Sequence, residues 1–221
     1  MKELDLPYPE AIFGLEYLQS RPQAFYKMAN GFLTHKASPV KAHKFIKKVA
    51  DEGMLLMNFT QNIDGLELDA GLPMEYLVQA HGHMRSAHCS CCKVVAPIEA
   101  FFEHVGREEV LYCNDCNGGV VKPDIVFFGE NLPQDFFIKM NLMYNADLVF
   151  IMGTSLKVFP FTTLIELVAR GVPIVLINRE NPGLVRKDPE DLLFLAGDIE
   201  ETISTLIRDI GWNIESFLDA A

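Results

Sequence analysis

The sequence is short of positive charge. Lysine and arginine together number 19 against 30 aspartates and glutamates, a formal net charge of −11. A fold that holds phosphate backbones by counterion release shows the opposite balance, so nucleic acid is not expected as a direct ligand. Long apolar runs are missing as well. Nothing approaches the roughly 20 consecutive apolar residues of a membrane-spanning helix, and the opening MKELDLPYPEAIF is acidic where a secretory leader is basic and then greasy. No membrane partner is expected, and the cytoplasm is the expected compartment, with the nucleus as the alternative. None of the 15 glycines stands two residues from another, so the Gly-x-Gly of the usual dinucleotide fingerprint is absent. Internal repeats and low-complexity tracts are also absent.

What is present is enough apolar residue, 49% of 221 with only 22% charged, to bury a core against the entropy of the chain. One sizeable core, or a main domain carrying a small insertion, fits this length. All five cysteines fall between residues 89 and 116. Cys89-x2-Cys92, twenty intervening residues and Cys113-x2-Cys116 have the spacing of a four-thiolate zinc site, two tight turns each giving two sulfurs to one tetrahedral ion. Two disulfides or inert thiols form the competing reading, disfavoured for a protein of a reducing compartment. Cys91 is left over, and His88 is a rival ligand. A site closed by four sulfurs leaves no position for water or substrate, so the ion is expected to hold structure, which argues against zinc-dependent hydrolysis.

Elsewhere, short greasy runs alternate with amphipathic stretches. Ser38-Pro39 predicts an N-cap and first helical position, followed by Ala42, Phe45, Ile46, Val49 and Ala50 on one face until Gly53. Lys41, Lys44, Lys47 and Lys48 lie on the other, solvated side. Met54–Phe59, Leu148–Met152, Ile174–Ile177 and Leu192–Leu195 have the length of strands, and polar strings follow them. Helices are predicted around Leu132–Tyr144, over Pro160–Arg170, and from Asp198 to Gly211 with Ile199, Ile203, Leu206, Ile207 and Ile210 inward. Greasy strands alternating with helices imply an α/β fold, a parallel sheet with helices on both faces. Ligands of such sheets lie beyond the carboxyl ends of the strands, where the polar strings fall. Taken singly, each string is also what an ordinary turn looks like. Residues 85–122 form a separate small module.

Taken together, Gln61-Asn62-Ile63-Asp64, Ala80-His81-Gly82, the paired cysteine turns, Lys122-Pro123-Asp124-Ile125-Val126-Phe127-Phe128-Gly129-Glu130, Gly153-Thr154-Ser155-Leu156 and Ile177-Asn178-Arg179-Glu180 occur in the order found in the sirtuins, NAD-dependent protein deacylases. The sequence resembles that family over nearly its whole length, and Leu6–Phe13 resembles the segment that precedes the sheet in eukaryotic members. The resemblance implies a Rossmann-like NAD-binding domain over 1–84 and 123–221, with an N-terminal helical segment and the zinc-binding module of 85–122 inserted. It implies an activity as well: transfer of the acyl group of acyl-lysine to ADP-ribose, with release of nicotinamide.

Carried over residue by residue, the resemblance makes His81 the general base for a ribose hydroxyl, a task suited to an imidazole. It places Gln61, Asn62 and Asp64 at the nicotinamide and its ribose. Gly153, Thr154, Ser155 and Val158 fall near the cofactor's ribose and phosphates, and Asn178, Arg179 and Glu180 at the adenosine ribose. Ile199 stands where many relatives have cysteine, at a position whose backbone faces adenine. Val126, Phe127, Phe128, Gly129 and Glu130 would receive an extended peptide carrying acyl-lysine, with Val126 and Phe127 walling the apolar tunnel that its neutralised side chain enters; Ile-Val-Phe-Phe is also good core material, but the binding role is the favoured reading.

The sirtuins also carry, upstream of the segment at residues 6–9, a glycine-rich strand-turn and a stretch that cradle the cofactor's pyrophosphate. The present sequence starts after it. The expectation is therefore a sheet lacking its first strand, in a truncated product of a deacylase, with a catalytically impaired zinc-containing peptide-binding module as the alternative.

Overall fold

The computed structural model describes residues 6, 8–34, 37–116, 118–185 and 188–213. Pro7, within the N-terminal segment that carries part of the resemblance, lies outside the described residues. In chain order the elements are α1 (Leu15–Ser20), α2 (Pro22–Thr34), α3 (Lys41–Asp51), β1 (Asn58–Thr60), α4 (Leu66–Asp69), β2 (Leu77–Gln79), β3 (Gly82–Cys89) and β4 (Val95–Ala96). They continue with α5 (Ile98–Gly106), β5 (Val121–Ile125), α6 (Gln134–Lys139), β6 (Val149–Met152), α7 (Thr163–Glu166), β7 (Ile174–Asn178), β8 (Leu192–Ala196) and α8 (Ile199–Asp209). These elements gather into two compact units. One takes Met1–Ala37, Thr60–Gly65 and Gln79–Pro133; the other takes Ser38–Phe59, Leu66–Val78 and Gln134–Ala221.

The second unit holds the parallel sheet, in the order β6-β7-β8. Its strands are greasy up to Asn178 at the end of β7, because both faces of the sheet are covered, although Leu193 on the edge strand β8 is exposed. Phe150, Met152, Val175, Ile177 and Leu195 pack with Phe45, Ile203 and Ile207 of α3 and α8. The alternate residues Val149, Ile151, Ile174 and Leu176 pack on the other side with Ile165 and Val168. Side chains of a strand alternate between faces, so two apolar sets in one strand require two layers of cover, as predicted. Asp198 caps α8 by accepting from the N–H groups of Glu200 and Glu201 at 2.9 and 3.4 Å. Ile210, predicted on the inner face, is half exposed at the helix end.

Several predicted boundaries move. The helix expected from Ser38-Pro39 begins at Lys41, with Val40 as its N-cap. Its first-turn N–H groups are taken by Glu200 of α8, whose carboxylate accepts from Lys41 at 2.7 Å and Ala42 at 3.1 Å. The cap is tertiary, so the local Ser-Pro signal is not the one that sets the start. At the other end Gly53 adopts φ +69° and Met54 N–H returns to Val49 O at 3.0 Å, closing the helix. The predicted strand Met54–Phe59 is laddered only over Asn58–Thr60. The helix predicted over Pro160–Arg170 is α-helical only at Thr163–Glu166. Around it the bonds run between residues three apart, Thr163 to Pro160, Leu164 to Phe161 and Ile165 to Thr162, as suits a stretch crowded with Thr162, Thr163 and Ile165. Among the described residues β1 pairs with β2 in a two-stranded ladder separate from β6-β7-β8.

The first unit is built on β3, which pairs antiparallel with β4 on one side and β5 on the other. Ala87, Val121 and Ile125 of this sheet meet Leu18, Phe25, Tyr26 and Ala29 of α1 and α2 and Phe101 and Val105 of α5 in one core. Phe25 and Tyr26 are fully buried, and the Tyr26 hydroxyl donates to the Val121 carbonyl at 2.6 Å. The cysteine-bearing stretch thus shares its core with the N-terminal helices.

Candidate active site and metal centre

Gln61, Asn62, Asp64, His81, Val126–Glu130 and the four cysteines belong to the first unit. Gly153, Thr154, Ser155, Val158, Asn178, Arg179, Glu180 and Ile199 belong to the second.

His81 sits where β2 gives way to β3. The Ala80 N–H bonds to Thr60 O at 2.9 Å, and Thr60 Oγ1 accepts from Asn62 N–H at 3.2 Å, which turns the chain at Gln61. The Gln61 carbonyl then lies 3.1 Å from His81 Nδ1. A carbonyl can only accept, so Nδ1 carries the proton and the lone pair is at Nε2. Burial lowers the His81 pKa from its ordinary 6.5, and the Gln61 bond opposes this in part. The ring is therefore neutral near pH 7. Gly82 follows with φ +75°, and a Cβ there would lie 1.9 Å from the Asp124 carbonyl, so β3 and β5 approach each other here as only glycine permits. Asn62 and Asp64 are exposed beside this corner and Gln61 is half-buried.

The Val126–Glu130 stretch leaves the end of β5. Val126 N–H donates to the His81 carbonyl at 2.9 Å, Phe128 N–H to Phe13 O at 2.8 Å, and Phe127 N–H to Glu130 Oε2 at 3.0 Å. Phe127 is 1% exposed and its ring meets those of Phe13 and Phe25, so the core reading of Ile-Val-Phe-Phe applies to this side chain. Phe128, by contrast, is 61% exposed. Val126 and Glu130 are half-buried and Gly129 is exposed.

Sequence reasoning assigned no role to Lys122 or Asp124. Lys122 is fully buried and paired with Glu130 at 2.9 Å; a lysine inside the run Val-Val-Lys-Pro-Asp-Ile-Val-Phe-Phe was the available signal. Asp124 accepts from Ser86 Oγ and is paired with His88 Nδ1. Burial pushes its pKa up, but those two hydrogen bonds overcome this and hold it low.

The sulfurs of Cys89, Cys92, Cys113 and Cys116 all lie within 4.8 Å of one another. Cys89–Cys116 and Cys92–Cys113 are 3.5 and 3.7 Å apart, close to the edge of about 3.8 Å of a tetrahedron with zinc–sulfur bonds of 2.3 Å. The N–H groups of Cys91 and Asp115 point at the sulfurs of Cys89 and Cys113, each at 3.4 Å. A Cβ on Gly119 would fall 2.3 Å from the Cys89 sulfur and 2.9 Å from that of Cys116, so this glycine leaves room for the cluster. The donor set fits one structural zinc ion. His88, the rival ligand, turns its Nδ1 to Asp124.

In the second unit, Gly153-Thr154-Ser155 follows β6 and Asn178-Arg179-Glu180 straddles the end of β7, so both strings lie at the carboxyl ends of parallel strands. Asn178 braces them: its Nδ2 donates to Thr154 O at 3.1 Å and Glu180 O at 3.0 Å. Ile199 opens α8, with its side chain in the core beside Ile177 and Ile203. Val158 is exposed. Hydroxyl, carboxylate and guanidinium groups on this rim suit the sugar hydroxyls of a nucleotide.

Residues 1–160 match the profile of the Sir2 family. The chain belongs to that family. Among curated Sir2 relatives, the NAD-dependent deacetylase sir2A of Dictyostelium discoideum is 42% identical over 97% of this chain and 44% of its own length. The NAD-dependent protein deacetylase hst2-1 of Emericella nidulans is 44% identical over 96% of this chain and 58% of its own length. The NAD-dependent protein deacetylase sirtuin-3 of Mus musculus is 40% identical over 97% and 64%. The chain thus spans about half the length of the Sir2 relatives it matches. No helix among the described residues is long and apolar enough to cross a membrane.

Proposed function

We propose that this Sir2 chain is an NAD-dependent protein-lysine deacetylase acting on acyl-lysine in proteins or peptides. The reading is carried by His81, half-buried, neutral near pH 7 and held with its proton on Nδ1 by the Gln61 carbonyl. When bound, NAD would supply a glycosidic carbon whose bond to nicotinamide breaks as the acyl oxygen bonds to it, so that the acyl group leaves lysine on ADP-ribose. His81 Nε2 then takes the proton of a ribose hydroxyl, a task for the ring nitrogen that carries no proton. Asn62, Asp64 and Gln61 hold the nicotinamide end. Gly153, Thr154, Ser155 and Val158, with Asn178, Arg179, Glu180 and the Ile199 backbone, hold the adenosine end. Val126–Glu130 receives the peptide.

In this reading one zinc ion on Cys89, Cys92, Cys113 and Cys116 keeps the module at 85–122 folded, and 1–84 with 123–221 bind NAD. Thiolate ligands suit a reducing compartment, the cytoplasm before the nucleus.

The test is mass spectrometry of an acetyl-lysine peptide incubated with the chain, with and without NAD. One nicotinamide released per acetyl group removed, and loss of both in His81→Ala, are expected. Deacetylation that proceeds without NAD overturns the proposal. Peptide binding without NAD binding or turnover leaves the non-catalytic binding module in its place.

A further inference from the structure

A lysine that is 1% exposed needs an account, since burying a charge is costly unless its hydrogen-bonding capacity is met. An ammonium has three donors, and Lys122 Nζ meets three oxygens: Ile125 O at 2.7 Å, Glu130 Oε2 at 2.9 Å and Pro123 O at 3.2 Å. The Phe127 ring centroid lies 4.6 Å from the same Nζ. All these groups come from the nine residues Lys122–Glu130. The same Glu130 oxygen accepts the Phe127 N–H at 3.0 Å, and the Glu130 N–H returns to Phe127 O at 2.9 Å. The stretch is therefore closed on an ion pair whose lysine is buried. It is tied to its surroundings by Val126 N–H to the carbonyl of His81 at 2.9 Å, Phe128 N–H to Phe13 O at 2.8 Å and Lys93 Nζ to Glu130 Oε1 at 3.5 Å.

We propose that Lys122 and Glu130 are positioning residues, a clamp with its lysine buried that fixes Val126–Gly129 in the form that receives the acyl-lysine peptide, Glu130 serving the end of that stretch through the ion pair. This rests on the deacetylase reading given above. Lys122 is too deeply buried to touch a substrate, so any effect of changing it on peptide binding passes through the loop. The clamp also explains why the chain turns out of β5 at Val126: the Ile125 carbonyl faces inward to the ammonium and Phe127 is drawn into the core, which leaves Phe128 outside. Burial pulls the Lys122 pKa down while Glu130 opposes it. Burial pushes Glu130 up, but the Phe127 N–H and Lys122 more than offset this.

The test compares the parent chain with Lys122→Met and with Lys122→Met/Glu130→Gln, in which no buried charge is left unpaired and only the exposed Lys93, 3.5 Å from Glu130 Oε1, loses a partner. The double variant is expected to melt close to the parent, to bind an acetyl-lysine peptide roughly tenfold more weakly by calorimetry, and to show a raised peptide KM with an unchanged KM for NAD. Amide hydrogen exchange at Val126, Phe127 and Phe128 is expected to quicken. A folded double variant with the parent's peptide affinity overturns the proposal. If the parent binds no acetyl-lysine peptide, it is the deacetylase reading that fails. The exchange rates then decide whether the clamp exists: faster in the variant supports it, unchanged overturns it. If neither variant folds, nitrogen NMR of the parent decides, since slowly exchanging Lys122 ammonium protons are expected and fast exchange overturns the clamp.

Discussion

His81 and Gln61 face each other across the ends of β1 and β2, imidazole Nδ1 to backbone carbonyl, at 3.1 Å. This contact fixes the tautomer, and the surrounding burial fixes the charge state.

Because burial depresses the His81 pKa below 6.5, the basic form predominates at neutral pH. The acid limb of kcat/KM is expected to fall only below pH 6.5. The sign for stability is the same. A depressed folded-state pKa contributes stability that is present above the unfolded value and is lost as pH falls through the folded one. Proton NMR titration of the His81 ring checks both statements, and a pKa above 6.5 contradicts them. Replacing His81 with alanine should lower kcat/KM by about 10²- to 10⁴-fold.

Four sulfurs so close together do not all ionise without a cation. Burial pushes Cys89 up, but the N–H groups of Cys92 and Cys91 outweigh it and leave the thiol at about 7. Cys116 is pushed up to about 12, chiefly by its contact with Cys89. One zinc per chain is expected by elemental analysis. Stripping it with a chelator, or Cys116→Ser, should lower Tm by more than about 10 °C. Zinc should be released as pH falls, because the ligands must be deprotonated. A metal-free chain that melts with the metal-loaded one rules out a structural ion.

The start of α3 offers a contrast between local and tertiary signals. Glu200→Ala removes the carboxylate that accepts from Lys41 and Ala42 and should cost about 1–2 kcal/mol in denaturant unfolding. Ser38→Ala should cost less than about 0.5 kcal/mol. A larger loss at Ser38 than at Glu200 would restore the N-cap read from sequence.

The zinc site was legible because its cysteines lie in two short turns, and local spacing alone brings each pair together. The parallel sheet was legible because strands buried on both faces have no polar position to interrupt them. The boundaries that moved are those set by distant groups. Glu200 is far along the chain from Lys41, and the strand ladder at Asn58–Thr60 depends on β2.

The amino-acid order by itself determined the α/β class, the four sulfurs and the residues available for chemistry, since these follow from periodicity, spacing and side-chain type. Only the tertiary structure decided how they are set. It sent Phe127 into the core and left Phe128 outside, closed Lys122 on Glu130, and put the His81 proton on Nδ1. Each of those outcomes depends on where a carbonyl points or which apolar surface is left uncovered, and that is fixed only when segments far apart in the chain have packed.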